Sequence, residues 1–592
     1  MELVKSMFKI EQIGNGIGFS NVLDTLLRNR GIENPGRFLN VSENDVEDFN
    51  KFVNIHVAGG LILEAIYNKH KIGILTDSDH DGYSSAALMY NYLKRIDPTL
   101  DIEYFIHYKK SHGLTEDIMN RVKNTNIKTL IIPDAASDNF AQHKELYKLS
   151  VTIIILDHHE CAKYSEYACV VNNQMSPDIK DKSLTGVGVV YKMCKWLDKE
   201  LKVNYADDYL DLVAMGMISD HADLHDFEAR YLVLEGIKQI NEGRNRNKFI
   251  TKIFENKKYS LGGKCSIIGM GFYMCPAVNC IIRGGDYETK VNLFKAFIGV
   301  DEKFEYQPRG KDKEPLQLSV EDYMIKIYGK LKRLQDKNAT KGVELLSKQV
   351  EDYKLDKYEI MVVNGNSIPK EIGSMDYNRV IINKLANKYD KNVLLLFQSD
   401  KLPLVMQGSG AGLKHRKINN LKQWCTDSGL FTYASGHANA FGCGMFSSNI
   451  NTLYNTIATI PSDEERTYRV DAIFTDKSLN KNVINLVGSY SDIWGNGLET
   501  PLFAVKDIVL NQDDIHIQGK NQDTLKFIYK DVEFIKFRCD KDELAKIVSQ
   551  KATKFTLIGT CNLNIYDGNN IPQFVIDDMM YEETAPVNSF RF

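Results

Sequence analysis

The chain has no C-x-x-C pair, and its 10 cysteines lie scattered. Neither a zinc ribbon nor a disulfide framework is indicated, and a reducing cytosol is the natural setting. No apolar run reaches the roughly 18 residues that span a bilayer. The amino terminus, M-E-L-V-K-S-M-F-K-I, lacks the apolar core and cleavage site of a secretory signal, so a cytoplasmic location is expected. A basic excess is missing too: 74 Lys and Arg against 78 Asp and Glu give a formal net charge of −4, where nucleic-acid enzymes are often basic. Basic residues still cluster locally, at Lys109 and Lys110, at Arg244, Arg246 and Lys248, at Lys311 and Lys313, and at Lys414–Lys417. Phosphate binding depends on such patches rather than on the sum. Proline is scarce at 13 residues, which reflects coding bias more than function.

What is present is an ordinary globular composition, 43% hydrophobic and 26% charged over 592 residues, enough for three or four domains. The organising stretch is Ile72–Ser85, I-G-I-L-T-D-S-D-H-D-G-Y-S-S. A short apolar run ends in Asp77, Asp79 and Asp81, Gly82 then lets the chain turn, and Ala86–Ile96 reads as a crossover helix. Three further apolar runs end alike: Lys128–Asn139 in Asp134, Val151–Glu160 in Asp157, His158 and His159, and Leu212–Leu224 in Asp220. Read as strands of one parallel sheet, all four deliver acids and imidazoles to one edge, where open α/β sheets place ligands. Singly, each is also what a solvated Asp-rich turn looks like. Together they have the donors of a two-metal hydrolytic site, hard oxygens for Mg²⁺ or Mn²⁺ with imidazole completing a shell.

This ordered set, D-x-D-x-D-G, strand-Asp, D-H-H and strand-Asp, resembles the DHH phosphoesterases. Other pieces resemble one branch, the RecJ single-strand-specific exonucleases: R-G-I at Arg30–Ile32 with Phe38 and Leu39, L-T-G-V-G at Leu184–Gly188, E-x-R at Glu228–Arg230 and P-x-x-N-x-x-x-R at Pro276–Arg283. The resemblance implies two divalent cations, Mn²⁺ or Mg²⁺, held by Asp77, Asp79, Asp81, Asp134, His158 and Asp220, with Asp134 bridging. It implies that His159 contacts the scissile phosphate or acts as acid toward the leaving oxygen, that Asp157 orients the imidazoles, and that Asn279 and Arg283 clamp phosphate. In the DHH-associated domain, Ser409 of G-S-G and Gly436 and His437 of A-S-G-H-A would grip the nucleic-acid backbone. Ser435 stands where the first glycine of G-G-H is usual, and Arg416 is the stand-in for an Arg that normally follows G-S. The run Trp494–Phe503 resembles the entry to the family's OB-fold, with Leu498 where Asn is usual.

The expected fold is α/β and multidomain: a helical segment over residues 1 to ~70, a parallel-sheet DHH catalytic lobe from ~71 to ~305, a linker and long connecting helix from ~306 to ~356, a second α/β DHH-associated lobe from ~357 to ~462, and a C-terminal antiparallel β-barrel of OB type from ~463 to 592 with a loose tail. The connecting helix shows in Val320, Tyr323, Met324, Ile327, Tyr328, Leu331 and Leu334, spaced by three and four. The expected activity is 5′-to-3′ hydrolysis of single-stranded DNA to 5′-mononucleotides, in recombination, repair or replication, with a single-strand binding protein or helicase as further partners. Two other readings stay open. One is a phosphodiesterase for oligoribonucleotides or cyclic dinucleotides, against which the barrel after ~465 argues. The other is an inactive nucleic-acid-binding scaffold, which the intact ligand set disfavours.

Overall fold

The computed structural model describes residues 8–14, 16, 21–308, 314–369, 372, 375–399, 402–461, 466–566 and 569–586. They fall into two compact units: Asn34–Arg333 with Asp492–Glu499, and Met1–Glu33 with Leu334–Ser491 and Thr500–Phe592.

In the first unit, short apolar runs form β1 (Ile72–Thr76), β2 (Ile102–Ile106), β3 (Thr129–Pro133), β4 (Thr152–Asp157) and β5 (Cys169–Asn172), ordered β2-β1-β3-β4-β5. Every pairing is parallel. β1 and β3 are buried along their whole length, as in sheets covered on both faces. Asp77, Asp134 and Asp157 therefore stand at one sheet edge. The covering helices include α1 (His80–Ile96), α2 (Gly186–Leu201), α3 (Leu210–Ser219) and α4 (Ile267–Gly284).

Two local expectations fail here. The helix after β1 starts at His80 instead of Ala86, because the Asp79 carboxylate accepts the Gly82 N–H at 3.0 Å and caps it. Gly82 is thus helical and not a turn; its role is closeness, since a Cβ there would lie 2.6 Å from the Asp77 Cβ. The fourth apolar run is helix α3, not a strand. It is apolar on every face and buried from Leu210 to Ile218, a pattern in which periodicity cannot separate strand from core helix; its Leu, Ala and Met content favours the helix. One helix, α4, is also apolar and long enough to cross a bilayer, with mean hydropathy 1.3, contrary to the expectation that no run would be. Met270, Met274, Val278 and Ile281 nevertheless lie in the core of this unit.

The expected linker is partly a hairpin, Lys303–Tyr306 pairing antiparallel with Leu316–Ser319; Lys311 and Lys313 lie outside the described residues. Helix α5 (Val320–Tyr353) carries the chain onward, with Val320 and Met324 in the first unit's core and Ala339, Leu346 and Val350 in the second's.

The second unit holds a five-stranded sheet, in order Phe431–His437, Ala440–Phe446, Val405–Ala411, Asn392–Gln398 and Ile360–Asn364, and a seven-stranded one. The latter is mixed rather than purely antiparallel: Ala472–Phe474 runs parallel to Phe503–Asn511, and Val532–Lys536 parallel to Asn569–Glu583. Among the described residues its edges, Ala472–Phe474 and His516–Gln518, do not pair, so it is not closed into a barrel. Of the tail expected to be loose, Asp577–Phe592, the residues up to Glu583 belong to strand Asn569–Glu583, register-paired with Ala552–Tyr566, and residues 587–592 lie outside the described residues. The amino-terminal segment, read as helical, also supplies strand Phe8–Gln12, parallel to Arg466–Val470.

Candidate metal centre

Parallel strands and capped helices bring eight of the expected residues together. Asp77 follows β1, Asp79 and Asp81 open α1, Asp134 follows β3, Asp157 ends β4 with His158 and His159 next, and Asp220 caps the end of α3. Among the described residues, three ligand sets have donor atoms within 4.8 Å of one another: Asp77, Asp79 and His112; Asp81, His158 and Asp220; and Asp134, Asp157, His158 and His159. His158 Nε2 sits 3.2 Å from Asp134 Oδ1 and 3.5 Å from Asp220 Oδ2, joining the last two sets.

The packing is built on glycines. Gly186, at the start of α2, faces Asp134, and Gly216 in α3 faces Asp81; a Cβ at either would clash with the carboxylate. At the Gly-rich entrance of α2 a backbone N–H faces a carboxylate: Val187 N–H donates to Asp81 Oδ1 at 3.3 Å. Asp134 itself adopts φ +63°, a left-handed backbone that costs a non-glycine residue on the order of 1–3 kcal/mol and marks functional sites. The Gly186→Ala variant should therefore fold but push Asp134 aside, and a misplacement near 1 Å costs about 10²-fold in turnover. Steady-state rates beside a thermal melt check this; a wild-type rate would show that the site tolerates the shift.

Burial shapes the electrostatics. It raises the Asp77, Asp81, Asp134 and Asp220 carboxyls, Asp81 to about 7 and Asp220 to about 8, and the neighbouring acids push the same way. At Asp157 burial is outweighed by the hydrogen bond and charge of His159 and the charge of His158, and its carboxyl falls to about 2. Asp157 Oδ1 accepts His159 Nδ1 at 2.8 Å and the His158 and His159 N–H groups at 2.8 and 3.2 Å, while Oδ2 accepts Ser137 N–H at 3.1 Å. His159 rises to about 9 through that bond with Asp157, against the pull of burial, whereas burial and the charge of His159 drop His158 to about 4. One imidazole is thus a proton carrier and the other a neutral lone-pair donor.

The donor set fits divalent cations by a separate test. Asp81 Oδ2, Asp134 Oδ1 and His158 Nε2 are buried without a hydrogen-bond partner, a costly arrangement unless a cation satisfies them. Asn279, on α4, donates to Ser219 Oγ at 3.2 Å, next to Asp220. Arg283 lies one turn further along α4, half-buried.

Other expected residues have different fates. Ser409 pairs across the second unit's sheet with Gly442, and Ser435 pairs with the same Gly442 from the other side; Gly436 and His437 follow along that outer strand. Gly436 takes φ +125°. Burial, Arg379 and Lys422 lower the His437 imidazole, so two cations unread in the sequence stand beside it. Arg416, the stand-in for a backbone-gripping Arg, is 3% exposed and bonded to Glu359 Oε2 at 2.5 Å, so its guanidinium is engaged in a buried ion pair. The E-x-R pair is structural as well, Glu228 meeting Lys192 at 2.5 Å and Arg230 stacking 3.8 Å over Phe38. His107 and His112, at and after the end of β2, were missed, since no apolar run ends at His112 and nothing in the sequence says that the loop folds back.

Residues 71–217 match the DHH family, N-terminal domain, and residues 470–578 match the RecJ OB domain. A Bacillus phage SPbeta protein named as a single-strand DNA-specific exonuclease is 34% identical over 564 residues, 94% of this chain and 95% of that one. The single-stranded-DNA-specific exonuclease RecJ of Bacillus subtilis is 23% identical, covering 97% of this chain and 70% of its own. Among solved structures, RecJ of Thermus thermophilus in complex with Mn²⁺ matches with a TM-score of 0.68 at 18% identity, over 97% of this chain and 80% of that one.

Proposed function

The chain belongs to the family of RecJ-type single-strand DNA-specific exonucleases, and from that premise we propose that it hydrolyses single-stranded DNA from the 5′ end, releasing 5′-mononucleotides in recombination, repair or replication. The observation that carries this reading is the cluster of buried acids and imidazoles with unpartnered donor atoms at one sheet edge. Asp77, Asp79, Asp81, Asp134, His158 and Asp220 would hold two divalent ions, Mn²⁺ or Mg²⁺. Bound there, such ions supply a nucleophile from water at neutral pH and a Lewis-acid clamp on the phosphate.

The protein's own groups do the rest. Asp157 fixes His159 through Nδ1, leaving Nε2–H free to donate; with its acidity near 9, His159 is protonated at neutral pH and can pass that proton to the departing 3′ oxygen as the phosphorus–oxygen bond breaks. Arg283 neutralises the charge gathering on the phosphate oxygens, and Asn279 positions it. Ser409, Gly436 and His437 hold the strand's backbone. The proposed setting is the cytoplasm of a bacterium, or of the host if the gene is viral, with a single-strand binding protein or helicase as partner.

The Arg283→Ala variant should lose about 10²- to 10³-fold in kcat, as removal of one charge-stabilising donor does; an unchanged rate would return Arg283 to a surface role. Mn²⁺-dependent digestion of one oligonucleotide labelled at either end, beside its duplex, its RNA version and a cyclic dinucleotide, tests the whole reading. Early release of a mononucleotide from the 5′ end of single-stranded DNA is expected. Cleavage of RNA or the cyclic compound alone would overturn it.

A further inference from the structure

We infer that His112 is a ligand of the cation held by Asp77 and Asp79, giving that position a nitrogen donor and a preference for Mn²⁺ over Mg²⁺. This rests on the two-cation reading above.

The loop from β2 to the next helix, Glu116–Lys123, folds back over the end of β1. It is held on both sides of His112: Ser111 N–H donates to Ser78 Oγ at 3.1 Å, Gly113 N–H to Asp77 Oδ1 at 3.1 Å, and Leu114 N–H to Asn139 Oδ1 at 2.8 Å. Gly113 takes φ +64° to make the turn. His112 thereby arrives with Nδ1 2.6 Å from Asp77 Oδ2, and its donor, with one from Asp77 and one from Asp79, forms a set within 4.8 Å.

A second imidazole points to the same place independently. His107, just past β2, is 3% exposed, its Nε2 has no hydrogen-bond partner, and that atom lies 3.9 Å from Asp77 Oδ1. Burial keeps the ring neutral, lowering it to about 4. Asp77 is therefore flanked by two ring nitrogens from one short loop, neither of them part of the D-x-D-x-D-G or D-H-H sequences.

A plain ion pair between His112 and Asp77 explains the contact but not the grouping. The imidazole is 57% exposed, so water would satisfy it without a loop pinned at three points. A ligand, by contrast, has to be held in place. The chemistry sets the selectivity: carboxylates alone suit Mg²⁺, which demands near-ideal oxygen octahedra, whereas imidazole favours the transition-metal side of the series.

The test uses the full chain stripped with EDTA and titrated with MnCl₂, free Mn²⁺ being read by electron paramagnetic resonance and nitrogen coupling by electron spin echo modulation. Wild type should bind two Mn²⁺ with imidazole nitrogen at both positions. The His112→Ala variant should melt as wild type does, weaken one Mn²⁺ by at least about 10-fold to 10²-fold, lose that nitrogen signal and let Mg²⁺ compete at lower concentration. The His112→Gln variant keeps a polar side chain and loses the imidazole, so it should resemble His112→Ala. Two Mn²⁺ bound to His112→Ala with wild-type affinity and wild-type nitrogen coupling would overturn the inference while leaving the two-cation reading intact. Failure of wild type to bind Mn²⁺ would sink both.

Discussion

Replacing Asp134 with asparagine should abolish hydrolysis and, at the same time, make the metal-free protein harder to melt. Asp134 is 1% exposed and holds a left-handed backbone at φ +63°, a conformation that asparagine tolerates at least as well as aspartate. Its carboxyl is pushed far up by burial and by the charges of Asp81, Asp79, Asp77 and Asp220. An isosteric amide fills the same space without a group that must take up a proton to be buried there, so the cost that burial and the neighbouring acids impose on the carboxyl is removed. Stability of the folded apo-protein should rise, by roughly 2–4 °C in Tm for each kcal/mol relieved. Function moves the other way, since a carboxylate of the cluster that would hold the ions is gone: a loss on the order of 10⁴-fold or more is expected. Wild type should gain Tm on adding Mn²⁺ through mass action, and Asp134→Asn should gain little. Differential scanning calorimetry with and without EDTA, beside a single-strand nuclease assay, decides the matter. A variant that is both inactive and less stable without metal would mean that Asp134 serves the fold rather than the site.

That trade between stability and function explains what could be read from the sequence. Apolar runs ending in acids are a local pattern, and strand direction alone converts them into one edge of a sheet, so Asp77, Asp134 and Asp157 are legible in the sequence. Asp220 was legible for the wrong reason. Its run is a core helix, and the acid arrives at the site from a helix end. The cap at Asp79 was hidden because D-x-D-x-D reads as a metal motif first and as a helix start second. Long-range packing was not legible: L-T-G-V-G singles out Gly186 but not as the seat of Asp134, and nothing marks Gly216 as the seat of Asp81, or the loop bearing His112 as one that folds back on Asp77. Arg416 shows the opposite case. A basic run invites a phosphate, but Glu359 lies across the fold to claim the guanidinium, and that partner is far away in sequence. The seven-stranded sheet was read as purely antiparallel because short strands with polar turns suggest hairpins, whereas its parallel pairs join strands separated by intervening elements.

Stripped of divalent ions, the protein should lose stability steadily as pH rises from about 6.5 to about 8, and Mn²⁺ should flatten or reverse that trend. The sign follows from proton counting. Asp81 at about 7 and Asp220 at about 8 hold protons in the folded state that an unfolded chain, with carboxyls near 3.9, has already released. Where the folded state binds more protons, stability falls as pH rises. His159 at about 9 acts in the same sense: its contribution is full below the unfolded value near 6.5 and is lost as pH passes through 9. His158, lowered to about 4, opposes this, but only between 4 and 6.5, because above 6.5 it is neutral in both states. Asp157 at about 2 is ionised throughout and adds nothing to the slope. Above 6.5 the other raised groups, Asp134, His112 and Asp181 at about 8, act in the same sense, so the direction of the slope is set. Cations displace the protons that Asp81 and Asp220 hold, so Mn²⁺ affinity should climb with pH over the same window, by about 10-fold per unit for each proton released. Urea denaturation at several pH values, with EDTA and with saturating MnCl₂, measures both slopes, and Asp220→Asn should make the EDTA slope shallower. A flat or rising EDTA curve would mean that the carboxylates are not crowded together in solution, and that the cluster does not wait, partly protonated, for its ions.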